Sequence, residues 1–177
     1  ASKFATACGT VSRYAAGVNT DTIRYSFRIF ERHLGRETIL ELGPAEGVMT
    51  ALLARTGKRL TLVDGSEAFC RSLATRFPNA RVVHALFEDF APQERYDNVV
   101  LGHVLEHVDD PVAILRSVRG WLAPGGRVLA AVPNRRSLHR QAAVLMGLLP
   151  HEAALNEADV AHGHLRVFDP PGFRHCF

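Results

Sequence analysis

The chain is poor in cysteine, in lysine and in long apolar runs. Only three of its 177 residues are cysteine, Cys8, Cys70 and Cys176. They are odd in number and scattered, so they make neither a disulfide framework nor a Cys-x-x-Cys metal spacing, and a reducing compartment fits. No apolar stretch approaches the roughly 20 residues of a membrane span. The N-terminus lacks the basic-then-apolar pattern of a signal peptide. A cytoplasmic location without a transmembrane segment is therefore expected. Lysine occurs only as Lys3 and Lys58, and no Tyr-x-x-x-Lys pair exists. Fourteen glycines and nine prolines follow no period, which excludes collagen-like and linker readings.

What remains is ordinary globular composition, 47% apolar and 22% charged. Whole-chain disorder is excluded, and one domain with its own core is the natural count. The net charge of +3 is modest, and six of the basic residues lie within residues 1–36 against two acidic ones. That is too little for a nucleic-acid tail. Near the front, Thr20 or Thr22 caps a helix predicted to run to about His33, with Ile23, Phe27, Phe30 and Leu34 on one face. Arg24, Arg28 and Arg32 make a basic stripe on it, read as a solvated face.

From Thr38 onward short apolar runs alternate with helical stretches. Strands are predicted at 38–42, 59–63, 81–84, 96–102 and 127–132, and helices at 47–57, 66–77 and 111–122. Continuous apolar strands such as Asn98-Val99-Val100-Leu101 suit a parallel sheet covered on both faces. The alternation predicts a Rossmann-like, doubly wound α/β fold with a mostly parallel sheet. Ligands of such sheets bind at the carboxyl ends of the strands, near the switch point.

The first of these strands, Ile39-Leu40-Glu41-Leu42, runs into Gly43-Pro44-Ala45-Glu46-Gly47. Gly43 permits a tight turn, and Gly47 lets the next helix pack near the strand. The dinucleotide pattern Gly-x-Gly-x-x-Gly needs glycines at 43, 45 and 48, but Ala45 and Val48 stand at two of these places. Pro44 removes a donor amide and Glu46 adds negative charge, so a pyrophosphate is poorly served. Asp64 closes the second strand 21 residues after Gly43. An acid there accepts hydrogen bonds from ribose hydroxyls; the alternative is an N-terminal acid of the next helix, beside Gly65-Ser66. Pairing with the glycine loop favours a nucleoside ligand.

Further on, Tyr96-Asp97-Asn98-Val99-Val100-Leu101-Gly102-His103-Val104-Leu105-Glu106-His107-Val108 precedes Asp110-Pro111 and a helix. Trp121-Leu122-Ala123-Pro124-Gly125-Gly126-Arg127-Val128-Leu129 follows. With the glycine loop and Asp64, this ordered set resembles the class I S-adenosylmethionine-dependent methyltransferases, and within them the ubiquinone-biosynthesis-like and small-molecule subfamilies. The resemblance is strong over residues 35–135 and weaker at Gly163-His164-Leu165-Arg166-Val167-Phe168. It implies a methyltransferase moving a methyl group from S-adenosylmethionine to an oxygen or nitrogen of a small molecule, leaving S-adenosylhomocysteine. Glu41 and the backbone at Gly43, Ala45 and Gly47 would hold the methionyl end of the cofactor. Asp64, with Gly65 and Ser66, would bind the ribose, and Leu86, Phe87 and Glu88 would flank the adenine. Gly102 and His103 would line the sulfonium side, and Pro124-Gly125-Gly126 would turn into the fifth strand. Tyr14 and Arg24 would close the pocket from the N-terminal side, Arg24 against the cofactor carboxylate.

The resemblance also implies a helical cap at 1–36, a cofactor-binding core at 37–134, a variable lid over the substrate at 135–162 and the start of a C-terminal part at 163–177. The lid contains an apolar helix predicted at Ala142–Leu149. The family's terminal β-hairpin is missing, so the polypeptide is expected to continue or another chain to cover the sheet edge. A hydroxyl acceptor needs a base, and His103 and His107 are the candidates, with His164 a third if the C-terminal loop folds back. His107 and His164 also read as hydrogen-bonded structural residues. His103, Glu106 and His107 share one short run, but a metal needs further convergent ligands, and only the distant His162 and His164 remain, so no metal is expected. No nucleic-acid partner is expected either, since no Asn/Asp-Pro-Pro-aromatic motif follows the fourth strand. The protein is expected to act as a monomer or homo-oligomer. A nicotinamide-dependent reductase and a non-catalytic S-adenosylmethionine-binding protein are the competing readings.

Overall fold

The computed structural model describes residues 18–177. Its first helix, α1 (Val18–Phe30), continues as a 3-10 turn over Glu31–His33. Ile23, Phe27 and Phe30 are buried on its inner side, while Arg24, Arg28 and Arg32 are exposed. The chain then enters the alternation that the apolar runs predict. It comprises β1 (Thr38–Leu42), α2 (Val48–Ala54), β2 (Arg59–Asp64), α3 (Glu67–Arg76), β3 (Arg81–His84), β4 (Tyr96–Gly102), α4 (Pro111–Trp121) and β5 (Leu122–Ala131). Three short helices follow: α5 (Leu138–Leu145), α6 (Glu157–Ala161) and α7 (Pro170–His175).

All five strands are parallel, in the order β3-β2-β1-β4-β5. The order reverses between β1 and β4, so the loops leaving these two strands face one another across the switch point. The three inner strands are nearly continuous buried runs, and β3 and β5 at the edges are only half-buried. One core lies beneath α1, α2 and α3, and holds Ile39, Leu53, Leu62, Leu73 and Val100. The other lies beneath α4 and the C-terminal segment, and holds Leu40, Leu42, Val99, Leu101 and Leu105. Each such side chain contributes about 1.5–3 kcal/mol on burial.

Polar clasps fix where the strands begin and end. The fully buried Asn98 side chain accepts from the Gly35 amide at 2.9 Å and donates to the carbonyls of Gly35 and Thr38. The neighbouring Asp97 carboxylate accepts from the Glu37 and Thr38 amides and the Thr38 hydroxyl. Burial works to raise its pKa, but the bonds from Thr38 and Glu37 hold it below the usual carboxylate range. At α4, Asp110 accepts from the amides of Val112 and Ala113, and Pro111 takes the first helical position.

Several boundaries differ from the sequence expectation. α2 begins at Val48, because Gly47 is left-handed with φ 73° and sits outside the helix. It ends at Ala54, where Gly57, also left-handed, turns the chain. β5 begins at Leu122 instead of 127, since Leu122 already pairs with Tyr96 before an irregular step that contains Pro124-Gly125-Gly126. Those three residues form a distortion within the strand and not a separate turn. The apolar helix expected at 142–149 is α5, set earlier by Ser137 at its N-cap, and the chain turns at Met146.

Beyond β5 the chain returns to the sheet. The Phe168 amide donates to the Pro133 carbonyl at 2.9 Å, and the Arg135 amide donates to the Phe168 carbonyl at 2.8 Å. Residues 163–168 thus lie across the carboxyl ends of β4 and β5. Among the described residues no helix is long and apolar enough to cross a membrane.

Candidate active site

The loop after β1 is held open by three left-handed residues, Gly43 at φ 64°, Ala45 at 47° and Gly47 at 73°. Its start is tied to β2 by the Gly43 amide, which donates to the Val63 carbonyl at 2.9 Å. A Cβ on Gly43 would stand 2.9 Å from a methyl of Val104 and 3.4 Å from the Phe87 ring, so glycine lets the β1 loop settle on the β4 loop.

Asp64 spans this loop and the next. Its Oδ2 accepts from the Ala45 amide at 3.1 Å and its Oδ1 from the Ser66 amide at 2.8 Å. Burial raises its pKa, and these two amides oppose the rise. Ser66 meanwhile caps α3 by accepting from Phe69, and the Gly65 carbonyl meets the His84 ring at 3.1 Å. Glu41 is buried on the α2 side of the sheet, where its Oε2 accepts from the Thr50 hydroxyl at 2.8 Å. Burial pushes its pKa up to about 8, the Thr50 bond opposes this, and Asp64 adds to it.

Glu46 was not singled out as a ligand contact by sequence reasoning. One of its oxygens, Oε1, is buried without a hydrogen-bond partner among the described residues. The signal is its place inside the glycine loop, where its negative charge also disfavours phosphate.

The remaining cofactor candidates are distributed unevenly. Phe87 is buried in the core beside Val104, Leu86 is half-buried against Gly65, and Glu88 is exposed. Arg24 is exposed and paired with Asp21 at 3.4 Å, on a surface depression that it shares with Phe27, Arg28, Glu31, Leu52 and Arg55. That depression lies toward the end of α2 remote from the glycine loop, so the structure does not bring Arg24 to the loop. Tyr14 lies outside the described residues.

After Gly102 the chain enters a left-handed residue, His103, at φ 62°, whose amide donates to the Ala131 carbonyl. Its side chain is only 14% exposed, and Nδ1 stands 3.4 Å from Oε1 of Glu106. The two are at ion-pair distance without a hydrogen bond, and His103 Nε2 and both Glu106 oxygens are buried with no hydrogen-bond partner among the described residues. The C-terminal loop does fold back here. Leu165 donates its amide to the Glu106 carbonyl at 2.8 Å, and the Arg166 guanidinium donates to the carbonyls of Val108 and Asp109. His107 Nδ1 lies 3.2 Å from the Gly163 carbonyl, and the His107 and His164 rings meet edge to face at 4.9 Å. Burial lowers the pKa of both imidazoles, against the pull of Glu106. His164 is thus the convergent neighbour of Glu106 and His107 that the sequence reading had set aside as distant.

A second polar assembly also escaped the sequence reading. Arg140, 3% exposed, donates to Asp159 at 2.9 Å and to the carbonyls of Glu152 and Ala154. Asp159 completes a capping box with Asn156 and contacts His164 Nδ1 at 3.2 Å. Burial works against its ionisation, yet the Asn156 and Arg140 bonds hold its pKa below the ordinary value. An arginine inside an apolar helix, with Asn-x-x-Asp downstream, was the available signal.

Known proteins match this chain in sequence and in fold. A family model described as a methyltransferase domain covers residues 14–177. The chain is 35% identical over 104 residues to a ubiquinone biosynthesis O-methyltransferase of Proteus mirabilis, covering 55% of this chain and 42% of that protein. It is 34% identical over 96 residues to an uncharacterized methyltransferase of Mycobacterium bovis, covering 52% and 49% respectively. The chain therefore spans about half the length of the curated relatives it matches. Its fold matches the N-methyltransferase NodS of Bradyrhizobium japonicum, crystallised with S-adenosylhomocysteine, at a TM-score of 0.63 and 21% identity, over 73% of this chain and 70% of that one. It also matches the CcbJ methyltransferase of Streptomyces caelestis at a TM-score of 0.58 and 23% identity, over 67% and 54%. At these identities the likeness is one of fold. With the family model spanning nearly every residue from the glycine loop to the returning C-terminal segment, the chain belongs to the methyltransferase domain family.

Proposed function

We propose that the protein transfers a methyl group from S-adenosylmethionine to an oxygen or nitrogen of a small molecule, in the cytoplasm. The observation that carries this reading is the pairing of Asp64 with the glycine loop at the switch point. Each Asp64 oxygen is taken by one backbone amide, and a carboxylate oxygen has a second lone pair for a ribose hydroxyl. The orphaned Glu46 oxygen in the same loop suits a ligand that carries positive charge, as this cofactor does at its ammonium and sulfonium, and is ill suited to a pyrophosphate. The residues present therefore fit the group. When bound, it supplies an activated methyl for in-line displacement.

The chain's own residues position and deprotonate. Asp64, Gly65 and Ser66 hold the ribose, the backbone of Gly43, Ala45 and Gly47 holds the methionyl end beside Glu41, and Leu86 with Glu88 borders the base. Gly102, at the end of β4, lines the sulfonium side in this reading. His103 accepts the acceptor's proton at Nε2, with Glu106 facing its Nδ1. Residues 135–162 act as a lid that excludes water and shapes the acceptor pocket. The exposed Leu138, Leu145, Met146 and Leu148 on this segment favour an apolar acceptor. The nicotinamide alternative lacks support in the loop, where Ala45 and Val48 replace the glycines it needs.

Calorimetric titration with S-adenosylmethionine, S-adenosylhomocysteine and NAD tests the reading. Binding of the sulfur nucleosides, and not of NAD, is expected; tight NAD binding with no response to the others would sink it.

A further inference from the structure

We propose that Glu106, His107 and His164 form a binding site for a divalent transition-metal ion that fastens the C-terminal loop to the end of β4. One ligand atom from each residue lies within 4.8 Å of those from the other two. Around a zinc ion with bonds near 2.1 Å, tetrahedral ligands stand roughly 3.4 Å apart, so small side-chain rotations close the set.

The cluster has the features of a built site. Glu106 is fully buried, and neither of its oxygens has a hydrogen-bond partner among the described residues. An ionised carboxylate in that state is costly unless a cation stands beside it; the His103 ring lies 3.4 Å from Oε1 without a hydrogen bond, and the two other imidazoles converge with the carboxylate on one point. The histidines are oriented from outside the cluster. His164 Nδ1 faces Oδ1 of Asp159 at 3.2 Å, and Asp159 is itself held by Arg140. His107 Nδ1 faces the Gly163 carbonyl at 3.2 Å. An Nδ1–H directed at an oxygen acceptor sets the tautomer whose lone pair is on Nε2, the common arrangement behind metal-bound histidines. Two imidazoles and one carboxylate favour zinc or a neighbouring transition metal over magnesium or calcium, which prefer all-oxygen shells. Glu106 and His107 belong to the loop after β4, and His164 arrives 57 residues later in the chain. An ion here therefore crosslinks two segments already joined by the Leu165 amide, the Arg166 guanidinium, the His107–Gly163 contact and the His107–His164 ring contact. Metal binding here requires no methyl transfer, but it shares Glu106 with the proposed His103 pairing, so the variants are read by metal affinity and not by activity.

The test uses the full chain, without a histidine tag and stripped by chelator. Zinc is titrated by calorimetry, cobalt by visible absorption, and magnesium serves as the comparison. One equivalent of zinc is expected, with cobalt d–d bands of a low-coordinate site and no magnesium binding. Glu106→Gln and His164→Ala should each weaken zinc at least 100-fold. Asp159→Asn should weaken it roughly 10–100-fold with unchanged stoichiometry. Circular dichroism checks that each variant folds, and hydrogen exchange should show residues 163–168 protected on zinc addition. Absence of a stoichiometric site overturns the proposal. So does zinc binding that survives His164→Ala in a folded protein, since that would mark adventitious binding to other histidines.

Discussion

The Asp64 carboxylate reaches from the end of β2 to the Ala45 amide, 3.1 Å away, and thereby braces a left-handed alanine in the loop after β1. One side chain thus ties the loop after β1 to the Ser66 amide at the start of α3, and on the proposed reading its remaining lone pairs serve the ribose.

Replacing Asp64 by Ala should weaken S-adenosylmethionine binding by about 1–3 kcal/mol, roughly 5–150-fold, because ribose hydroxyls lose their acceptor. The sheet should persist. Calorimetry against the wild type measures the effect, and unchanged affinity would place the ribose elsewhere.

At the start of the same loop, Gly43→Ala forces a side chain into a left-handed backbone and within 2.9 Å of Val104. A loss of about 1–2 kcal/mol from the backbone alone is expected, visible in urea denaturation. Cofactor affinity should fall as well, since the loop must shift.

Glu41 gives the fold a pH dependence. Its ordinary value is 4.5 and its folded value is about 8. Between them the native state holds a proton that the unfolded chain has released, so stability present at low pH is lost as pH rises through this window. Glu41→Gln keeps an acceptor for Thr50 and removes the titration. The wild-type melting temperature should fall by several degrees relative to the variant between pH 5 and 8.5. Parallel curves would contradict the assignment.

For His103, replacement by Ala should lower kcat with a hydroxyl acceptor by about 10²–10⁴ and leave cofactor affinity little changed. If Gln restores the rate, the side chain shapes the pocket and is not the base.

Arg140→Ala takes the buried cation from Asp159, which keeps only its Asn156 and His164 contacts; breaking such a pair typically costs about 3–5 kcal/mol. Because the bonds of Arg140 end within residues 152–159, the loss should be local. Hydrogen exchange should rise over residues 138–165 and stay unchanged in β1, β2 and β4.

Much of this architecture was written locally. Strand and helix alternation, the glycine loop and Asp64 are each short-range patterns, and parallel topology brings strand ends together without further instruction. What escaped notice depended on distance along the chain. Glu106 and His164 are 58 residues apart, and nothing in either neighbourhood announces the other. Arg140 lies outside the apolar helix expected at 142–149, and its partners stand 12–19 residues further on, beyond an irregular loop. Arg24 was assigned from a likeness in position, whereas its helix turns it toward solvent and Asp21. β5 was started late because Pro124-Gly125-Gly126 reads as a turn, although Gly126 is packed between the carbonyls of Ala123 and Tyr96, each 2.9 Å from where its Cβ would stand.

The inward-facing Arg140 makes the stretch after β5 modular. Its guanidinium gathers Glu152, Ala154 and Asp159 around one centre, so that these bonds close within the stretch itself. Such a segment can diverge without repacking the strands; if it forms the proposed lid, acceptor preference changes separately from cofactor binding.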